Sequence, residues 1–244
     1  MFNFFIDSKT ENNDFFVISG EDFFHIKNVL RMKVGDELLV SNNGVSHLCS
    51  IKSFEQNSVT VSVVNKNYQT TDLPIKIYLF QGLPKSDKME LIIQKAVELG
   101  VSGIYPVQMR RSIVKLDKKN AKTSRWQSIA ESAAKQSKRS VIPTVFDAVD
   151  FKDALNIIKD LDLFIFPFES KNGMEDTKTV LSSIKSGMSI GVMIGPEGGF
   201  DDNEVEQASQ IGAKIISLGQ RILRTETAAI TTLSMLMLYS EMCL

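Results

Sequence analysis

Hydrophobic and polar residues follow two different rhythms along the chain, and the change falls near residue 73. Up to Asp72 the apolar and β-branched residues come in short alternating segments separated by turn formers such as Asn42-Asn43-Gly44. The strands predicted there cover residues 37–40, 46–51 and 58–64, and one short helical stretch covers 22–30. This pattern predicts a small β-barrel over residues 1–72, followed by a linker at 70–74.

Beyond Pro74, strand-like and helix-like segments alternate, which is typical of a mostly parallel sheet with helices on both faces. The predicted strands are 75–80, 161–168, 189–194 and 214–218. Capping-box spacing predicts three helix starts, at Asp87 with Glu90, at Ser124 with Gln127 and at Asp201 with Glu204, and Gly100 and Gly212 are predicted to end the first and third. A last helix, apolar over most of its circumference, is predicted from Thr225 to Met242. Residues 73–244 are therefore expected to form an α/β domain.

Charge is unevenly distributed in a chain whose formal net charge is only −1. The stretch 108–139 carries ten basic and two acidic residues, a net charge of +8, so the rest of the chain is acidic. Such contrast indicates either a nucleic-acid footprint or a solvated helical face. The chain has no apolar run long enough to span a bilayer and no signal-peptide pattern, and its two cysteines share no motif. We therefore expect a cytoplasmic protein with reduced thiols and no membrane partner.

Two glycine-containing loops follow predicted strands, at the sheet edge where ligands bind in open α/β sheets. The first is Gly195-Pro-Glu-Gly-Gly-Phe200, where the glycines allow close backbone approach and positive φ angles. The second is Ser217-Leu-Gly-Gln-Arg-Ile-Leu-Arg-Thr-Glu-Thr227, which leads from a strand into the last helix. Each loop alone is also compatible with a plain tight connection.

Several kinds of site are disfavoured by the sequence. The glycine spacing does not fit a dinucleotide fingerprint, and no Gly-Lys-Ser/Thr of a Walker A loop is present. Gly187-Met-Ser-Ile-Gly191 matches a hydrolase pattern, but it precedes its strand and no histidine follows it. His25 and His47 lack ligand spacing with cysteines or carboxylates, so no metal site is expected.

Taken together, the motifs resemble one family. The chain contains in order Gly82-Leu-Pro-Lys-Ser-Asp-Lys-Met-Glu90, Glu131-Ser-Ala-Ala-Lys-Gln-Ser-Lys-Arg139, Ile194-Gly-Pro-Glu-Gly-Gly-Phe200 and Leu218-Gly-Gln-Arg-Ile-Leu-Arg-Thr-Glu-Thr-Ala228. These segments, together with His25-Ile-Lys-Asn-Val-Leu-Arg31, resemble the RsmE-type methyltransferases of the SPOUT superfamily, which methylate uridine N3 in small-subunit (16S) ribosomal RNA. The family usually has Ala where this chain has Ser132, a small departure.

The resemblance implies a PUA-like N-terminal β-barrel over 1–72 and a SPOUT α/β domain over 73–244 with a C-terminal trefoil knot. It also implies a homodimer, with ribosomal RNA or the small ribosomal subunit as partner, and S-adenosylmethionine held against both loops. The expected cofactor-binding residues are Phe168, Ile194, Gly195, Pro196, Glu197, Gly198, Gly199, Leu218, Gly219, Ile222, Leu223 and Thr225. For the dimer we expect apolar surface on the last helix, from Ala228, Ala229, Leu233, Leu236 and Met237.

Two further expectations concern the substrate. Arg224 lies at the start of the last helix, where the helix dipole disfavours a cation, so we expect it to meet an anion and to act catalytically on the base. No general base is assigned. The residues expected to bind RNA are Lys27, Arg31, Lys33, Arg110, Arg111, Lys135, Lys138 and Arg139. A non-enzymatic RNA-binding module and a nucleotide-dependent oxidoreductase are the alternatives, the first disfavoured by the two ligand loops and the second by the missing fingerprint.

Overall fold

The structure, a computed structural model, describes residues 1–6, 14–69, 71–85, 88–114, 121–168 and 174–244. It divides into two compact units. The first holds Met1–Asp72 together with Ala134–Ile142, and the second holds Leu73–Ala133 with Pro143–Leu244. Asp87, predicted to begin a helix, and residues 115–120 of the basic stretch lie outside the described part of the chain.

The first unit is built on a curled five-stranded sheet. Its elements are β1 (Asn3–Ile6), β2 (Phe15–Ser19), α1 (Gly20–Phe24) running into a π-helical turn (His25–Val29), β3 (Glu37–Asn42), β4 (Val45–Phe54) and β5 (Ser58–Gln69). The strand order is β1-β3-β4-β5-β2, with β1 parallel to β3 and the other pairs antiparallel. Buried side chains such as Phe16, Leu38 and Val61 form one hydrophobic core in this unit. The three strands predicted for the barrel are confirmed.

A later segment of the chain completes the first unit. The main-chain oxygen of Arg139 accepts a hydrogen bond of 2.9 Å from Asn3 Nδ2, and Arg139 Nη2 lies 3.1 Å from Asp72 Oδ1. The Arg139 side chain is only 6% exposed. Burial lowers the pKa of its guanidinium, and the partner Asp72 works against that shift. Arg139 therefore has a structural role in this unit that its place in a basic stretch did not predict.

The second unit contains a parallel sheet in the order β12-β10-β11-β6-β7-β8, and β9 also pairs with β7. The strands are β6 (Lys76–Gly82), β7 (Gly103–Gln108), β8 (Thr144–Val145), β9 (Val149–Asp150), β10 (Leu163–Pro167), β11 (Ser189–Ile194) and β12 (Lys214–Ile216). The helices are α2 (Lys88–Glu98), α3 (Ala121–Gln136), α4 (Phe151–Ile158), α5 (Glu175–Ser182), α6 (Asp202–Gln210) and α7 (Thr225–Cys243). Among the described residues every strand pair of this sheet is parallel, as the alternation of strand-like and helix-like segments predicts.

Local sequence signals predicted several helix boundaries correctly, misplaced one, and gave no prediction of α4 and α5. The capping box of Asp201 and Glu204 is present at the start of α6, and Gly100 and Gly212 adopt positive φ after α2 and α6. The predicted helix start at Ser124 is wrong, because α3 already begins at Ala121. Gln127, predicted as the partner in that cap, instead uses its amide to bind the backbone of residues 143 and 145.

Helix α7 packs against α2 and buries much of its apolar surface within the chain. Ala229, Leu233 and Leu236 are fully buried, so the expectation that they supply a dimer surface is wrong. The exposed apolar residues of this helix are Leu238 and Met242. Among the described residues, no helix is long and apolar enough to cross a membrane. Both cysteines are free, as expected, and burial raises the pKa of the Cys49 thiol to about 12.

Candidate functional site

The carboxyl ends of three neighbouring strands, β10, β11 and β12, meet at one edge of the parallel sheet. Each strand leads into a segment that the sequence singled out: Phe168 after β10, the loop 195–200 after β11 and the loop 217–227 after β12, whose last three residues begin α7. We call these two loops the first and second glycine loops. Their convergence follows from the parallel order, since the carboxyl ends of adjacent parallel strands lie at the same edge.

The first glycine loop packs closely against the end of β6 and against Arg111, and is open at Gly199. A Cβ atom at Gly82, the last residue of β6, would lie 2.6 Å from the nitrogen of Pro196. Gly199 has a φ of +68°, a conformation that glycine adopts without strain, and space is open around its missing Cβ. Gly198, for which a positive φ was expected, does not have one, and its missing Cβ faces Arg111 at 3.0 Å instead.

The second glycine loop is tied to helix α5 at its beginning and to the first loop at its end. Thr177 Oγ1 donates to the main-chain oxygen of Ser217 at 2.9 Å and accepts from its nitrogen at 3.1 Å. Gly219 adopts a φ of +102°. At the end of the loop, Thr225 Oγ1 donates to the main-chain oxygen of Gly195 at 2.6 Å. Between these two attachments the apolar side chain of Ile222 is 84% exposed, which suits it to cover a bound molecule.

Opposite charges hold α2 and α7 to the first loop. Lys88 Nζ lies 3.1 Å from Glu197 Oε1 and 3.4 Å from Glu226 Oε2. A hydrogen bond to Glu197 is the largest cause of the raised pKa of Lys88. Burial tends to raise the pKa of Glu197, but bonds from backbone amides and from Lys88 outweigh it and hold that pKa below its ordinary value. Both groups are therefore charged at neutral pH.

Arginines surround the mouth of the same site. Arg110 donates from its backbone nitrogen to Glu204 and from its side chain to Asp201, which anchors it to the start of α6. Arg111 Nη1 donates to the oxygen of Gly198 at 3.4 Å. Arg224 is the N-cap residue of α7 and is exposed, and its side chain makes no capping hydrogen bond. A cation placed at this helix terminus is available to an anion.

These elements enclose a pocket with a volume of about 760 Å³, in the range of small-molecule and cofactor sites. All twelve residues predicted to bind the cofactor line it: Phe168, Ile194, Gly195, Pro196, Glu197, Gly198, Gly199, Leu218, Gly219, Ile222, Leu223 and Thr225. Arg224 lines it too, as do Lys88, Arg111 and Arg221, which were not assigned to the cofactor. The roles of these residues stay predictions, but the structure brings them together.

The pocket suits the chemistry of S-adenosylmethionine. The adenosine part needs apolar cover and backbone polar groups, which Ile194, Leu218 and Leu223 and the glycine-rich backbone provide. The open space at Gly199 and Gly219 would be filled by any side chain. The carboxylate of Glu197 and the basic residues at the pocket offer partners for the ammonium and carboxylate of the amino-acid part.

Sequence reasoning missed residues that shape the pocket from outside. Gln81 and Thr177 are buried and bind the two glycine loops through their side chains. Neither has a motif of its own, and Gln81 follows a predicted strand directly. The only sequence signal for Gln81 was that it is a polar residue directly after an apolar strand. A polar side chain buried there needs hydrogen-bond partners.

The residues predicted to bind RNA are distributed over both units. In the first unit, Lys27, Arg31, Lys33 and Lys138 are exposed, whereas Lys135 forms an ion pair with Asp22 at 2.9 Å. Lys27 lies over the ring of Phe23 at 5.2 Å. In the second unit, Arg110 and Arg111 are exposed beside the pocket. Among the described residues, no group of three or more histidine, cysteine or carboxylate side chains forms a metal site.

Known proteins provide a comparison for both units. An RNA methyltransferase domain family matches residues 71–237, and an RNA methyltransferase PUA domain family matches residues 18–64. The ribosomal RNA small subunit methyltransferase E of Bacillus subtilis is 40% identical over 93% of this chain and 91% of its own length. The protein of the same name from Mesomycoplasma hyopneumoniae is 34% identical over 96% of this chain and 98% of its own length.

Solved structures resemble the chain over nearly its full length. A methyltransferase of Legionella pneumophila, solved with bound SAM, matches with a TM-score of 0.81 and 30% identity, covering 96% of each chain. The ribosomal RNA small subunit methyltransferase E of Neisseria gonorrhoeae, bound to S-adenosyl methionine, matches with a TM-score of 0.82 and 27% identity, again over 96% of each chain. The mixed fold, a curled sheet followed by a parallel α/β unit, is therefore a known arrangement.

Proposed function

Because the chain belongs to the RNA methyltransferase family of these relatives, we propose that it transfers a methyl group from S-adenosylmethionine to N3 of one uridine in small-subunit (16S) ribosomal RNA. The observation that carries the proposal is the pocket at the carboxyl ends of β10, β11 and β12. It lies within the span of the matching family, and it collects every residue that the sequence associated with the cofactor.

The reaction is an in-line displacement, so the enzyme contributes chiefly by positioning and by stabilising charge. When bound, S-adenosylmethionine supplies an electrophilic methyl group on a positively charged sulfur. The two glycine loops hold that molecule through backbone groups, and Ile222 covers it from outside. Lys88, through its contacts with Glu197 and Glu226, keeps the first loop and α7 in register.

The uridine presents a separate task, because N3 carries a proton that must leave before the base can attack. Arg224 lines the pocket and is exposed, so its guanidinium can stabilise negative charge as it develops on the base. Arg221, three residues earlier in the same loop, is a second cation at the pocket. Glu197 and Glu226 are ion-paired with Lys88, so we assign uptake of the N3 proton to solvent water, while the cations stabilise the negative charge left on the base.

RNA binding is assigned to exposed cations of both units. In the first unit these are Lys27, Arg31, Lys33 and Lys138, and in the second Arg110 and Arg111 beside the pocket. Lys135 and Arg139 are left out because their side chains are only 28% and 6% exposed, against Asp22 and Asp72. Arg110 and Arg111 also contact Asp201, but their side chains are 66% and 47% exposed. Residues 1–72 would serve as the RNA-binding domain and residues 73–244 as the catalytic domain, with residues 134–142 counted with the first.

Three further parts of the proposal concern assembly and place. A homodimer is supported by the exposed apolar side chains of Leu238 and Met242 on α7, next to the end of the chain. A trefoil knot in the second unit stays a prediction from the resemblance, and a cytoplasmic location stays a prediction from the sequence pattern and the two cysteines. A methyltransferase with a dimer contact near α7 would bring two pockets into one particle.

The test uses the purified full-length protein with S-adenosylmethionine carrying a labelled methyl group. Small subunits and free 16S RNA from a strain lacking the gene are offered separately, and the product is mapped by nuclease digestion and mass spectrometry. Label at N3 of a single uridine is the expected result. Label in another nucleotide would correct the site of methylation, and no transfer to either RNA would overturn the proposed function.

A further inference from the structure

Gln81 is a buried polar residue at the end of strand β6, outside the lining of the pocket. Its neighbours in the sheet are Ile194 of β11 and Pro106 of β7, and none of its surface is exposed to solvent. Its side-chain oxygen Oε1 has no hydrogen-bond partner among the described residues. A buried, half-satisfied amide costs stability compared with an apolar side chain of the same size, so packing alone does not account for it.

The amide nitrogen of Gln81 begins a directed chain of hydrogen bonds into the pocket. Nε2 donates to the main-chain oxygen of Gly82 and to Thr225 Oγ1, both at 2.9 Å. Thr225 Oγ1 in turn donates to the main-chain oxygen of Gly195 at 2.6 Å. The two main-chain oxygens can only accept, and the Thr225 hydroxyl has one proton. Its bond to Gly195 is therefore complemented by the bond that it accepts from Gln81.

We propose that Gln81 is a positioning residue for the cofactor, which acts by orienting the Thr225 hydroxyl so that it locks the first glycine loop to the start of α7. This inference rests on the proposed function, because both Thr225 and Gly195 line the pocket assigned to S-adenosylmethionine. Gly82 supports the same arrangement, since its missing side chain lets Pro196 approach the end of β6. The end of one strand thus sets the distance between the two glycine loops.

Removing the amide should loosen cofactor binding through Thr225. In Gln81→Met the side chain keeps a similar volume but cannot donate, so the Thr225 hydroxyl is free to turn away from Gly195. Thr225→Val removes the hydroxyl with little change of shape. We expect each variant to bind S-adenosylmethionine roughly tenfold more weakly, the size expected for one buried hydrogen bond lost with a group left unpaired.

The decisive measurement is a double-mutant cycle by calorimetry with S-adenosylmethionine, on variants whose folding is checked by circular dichroism. If Gln81 acts through Thr225, then Gln81→Met should weaken binding much less in the Thr225→Val background than in the natural chain. Independent, additive effects would overturn the inference, as would undiminished binding by Gln81→Met. Thr225→Ser keeps the hydroxyl and should restore most of the affinity that Thr225→Val loses.

A second variant keeps the inference testable if Gln81→Met does not fold. In Gln81→Glu, an ionised carboxylate would draw the Thr225 proton away from Gly195, whereas the protonated acid can donate as the amide does. Burial raises the pKa of such a carboxyl group, so affinity for S-adenosylmethionine should recover as the pH falls through that raised value. A variant that binds at all pH values like the natural chain would contradict the mechanism.

Kinetics separate positioning from general stability. Gln81→Met should raise KM for S-adenosylmethionine and leave kcat at saturation within about twofold, because the loops are still present but less well held. A loss of kcat with unchanged KM would contradict the inference. If the natural chain itself failed to bind S-adenosylmethionine, the proposed function would fail first, and this outcome is distinct from a variant that binds as the natural chain does.

Discussion

The ammonium group of Lys88 and the carboxylate of Glu197 form an ion pair of 3.1 Å that joins the first residue of α2 to the first glycine loop. Their pKa values move apart, that of Lys88 upward and that of Glu197 downward. Glu197 also accepts from the backbone nitrogen of Lys85 at 3.1 Å. The pair therefore fixes one side of the pocket to the segment that follows β6.

Replacing Lys88 with methionine tests this pair. The variant leaves Glu197 and Glu226 without their shared cation, so we expect S-adenosylmethionine to bind about two- to fivefold more weakly at neutral pH, within the range of partly exposed ion pairs. Calorimetric titration measures the change. Lys95→Met, which removes a lysine paired with Glu98 on the same helix, is the matched control and should bind as the natural chain does.

The same variant has a pH signature. A lowered pKa of Glu197 in the folded state stabilises the fold above the ordinary value of 4.5, and this contribution is lost as the pH falls through the lowered pKa. The difference in unfolding free energy between the natural chain and Lys88→Met should therefore be full above pH 4.5 and shrink below it. Urea titrations from pH 3 to 7 provide the measurement. If this difference in unfolding free energy stayed constant with pH, the pKa of Glu197 would not depend on Lys88.

Gly199 allows strain and ligand contact to be separated. Its φ of +68° makes Gly199→Ala strained by about 1–2 kcal/mol, and the added methyl group would project into open space at the pocket. Gly212→Ala has the same kind of strain, at φ +89° and with open space, at the end of α6 and outside the pocket lining. Both variants should have a lower melting temperature than the natural chain, but only Gly199→Ala should lose affinity for S-adenosylmethionine. If Gly199→Ala bound S-adenosylmethionine as tightly as the natural chain does, Gly199 would not belong to the cofactor site.

Arg224 should matter for turnover and not for stability. A cation at a helix N-terminus is unfavourable by a few tenths of a kcal/mol, so Arg224→Ala should melt at the same temperature or slightly higher. Turnover should fall by about 100-fold, the size of one lost charge-stabilising group, with little change in cofactor affinity. Because the cation assists loss of the N3 proton, the rise of turnover with pH should move to higher pH in the variant. Arg224→Lys, which keeps the charge, should retain part of the activity.

Binding of RNA should weaken with salt according to the number of phosphates contacted. For single-stranded RNA the logarithm of affinity falls by about 0.7 per contacted phosphate for each logarithm of salt. The combined change Lys27→Ala and Lys33→Ala should therefore reduce the slope by roughly 1.4 if each lysine contacts one phosphate. Filter binding at several salt concentrations gives the slope. The exposed pair Lys152 and Lys159, changed in the same way, should leave the slope unaltered.

The homodimer can be tested on α7. Leu238→Glu with Met242→Glu places two charges on exposed positions, which a monomer tolerates and an apolar contact between copies does not. We expect light scattering to give twice the chain mass of 27.2 kDa for the natural protein and a mass nearer to one chain for the variant. A natural protein that scatters as a single chain at micromolar concentration would rule out the dimer.

Much of the architecture could be read from local patterns. Alternation predicted strands β3, β4 and β5, apolar segments predicted the parallel strands β6, β10, β11 and β12 but not β7, β8 and β9, and a capping box predicted the start of α6. These features depend on residues close together in sequence. The start of α3 could not be placed, because the side chain of Gln127 binds backbone beyond the helix and only mimics a capping residue in sequence.

The candidate site also contains some residues that local sequence patterns predicted and others that they did not. The glycine loops were visible because their composition is unusual, and all twelve proposed cofactor residues line one pocket. The buried supports, Gln81 and Thr177, act across separations of 144 and 40 residues, and no local pattern encodes such contacts. Charge counting likewise could not distinguish Arg139, which is buried with Asp72, from exposed cations such as Lys138.

The segment Ala134–Ile142 determines when the first unit can complete its folding during translation. Asn3 donates to the main-chain oxygen of Arg139, 136 positions later in the chain. The sheet of the first unit is therefore translated long before the segment Ala134–Ile142 that completes this unit. Until that segment leaves the ribosome, the hydrogen bond from Asn3 Nδ2 to Arg139 and the ion pair of Asp72 with Arg139 cannot form. The N-terminal unit therefore cannot mature as an independent early domain, and a ribosome stalled before residue 134 should carry it in a form that proteases cut readily.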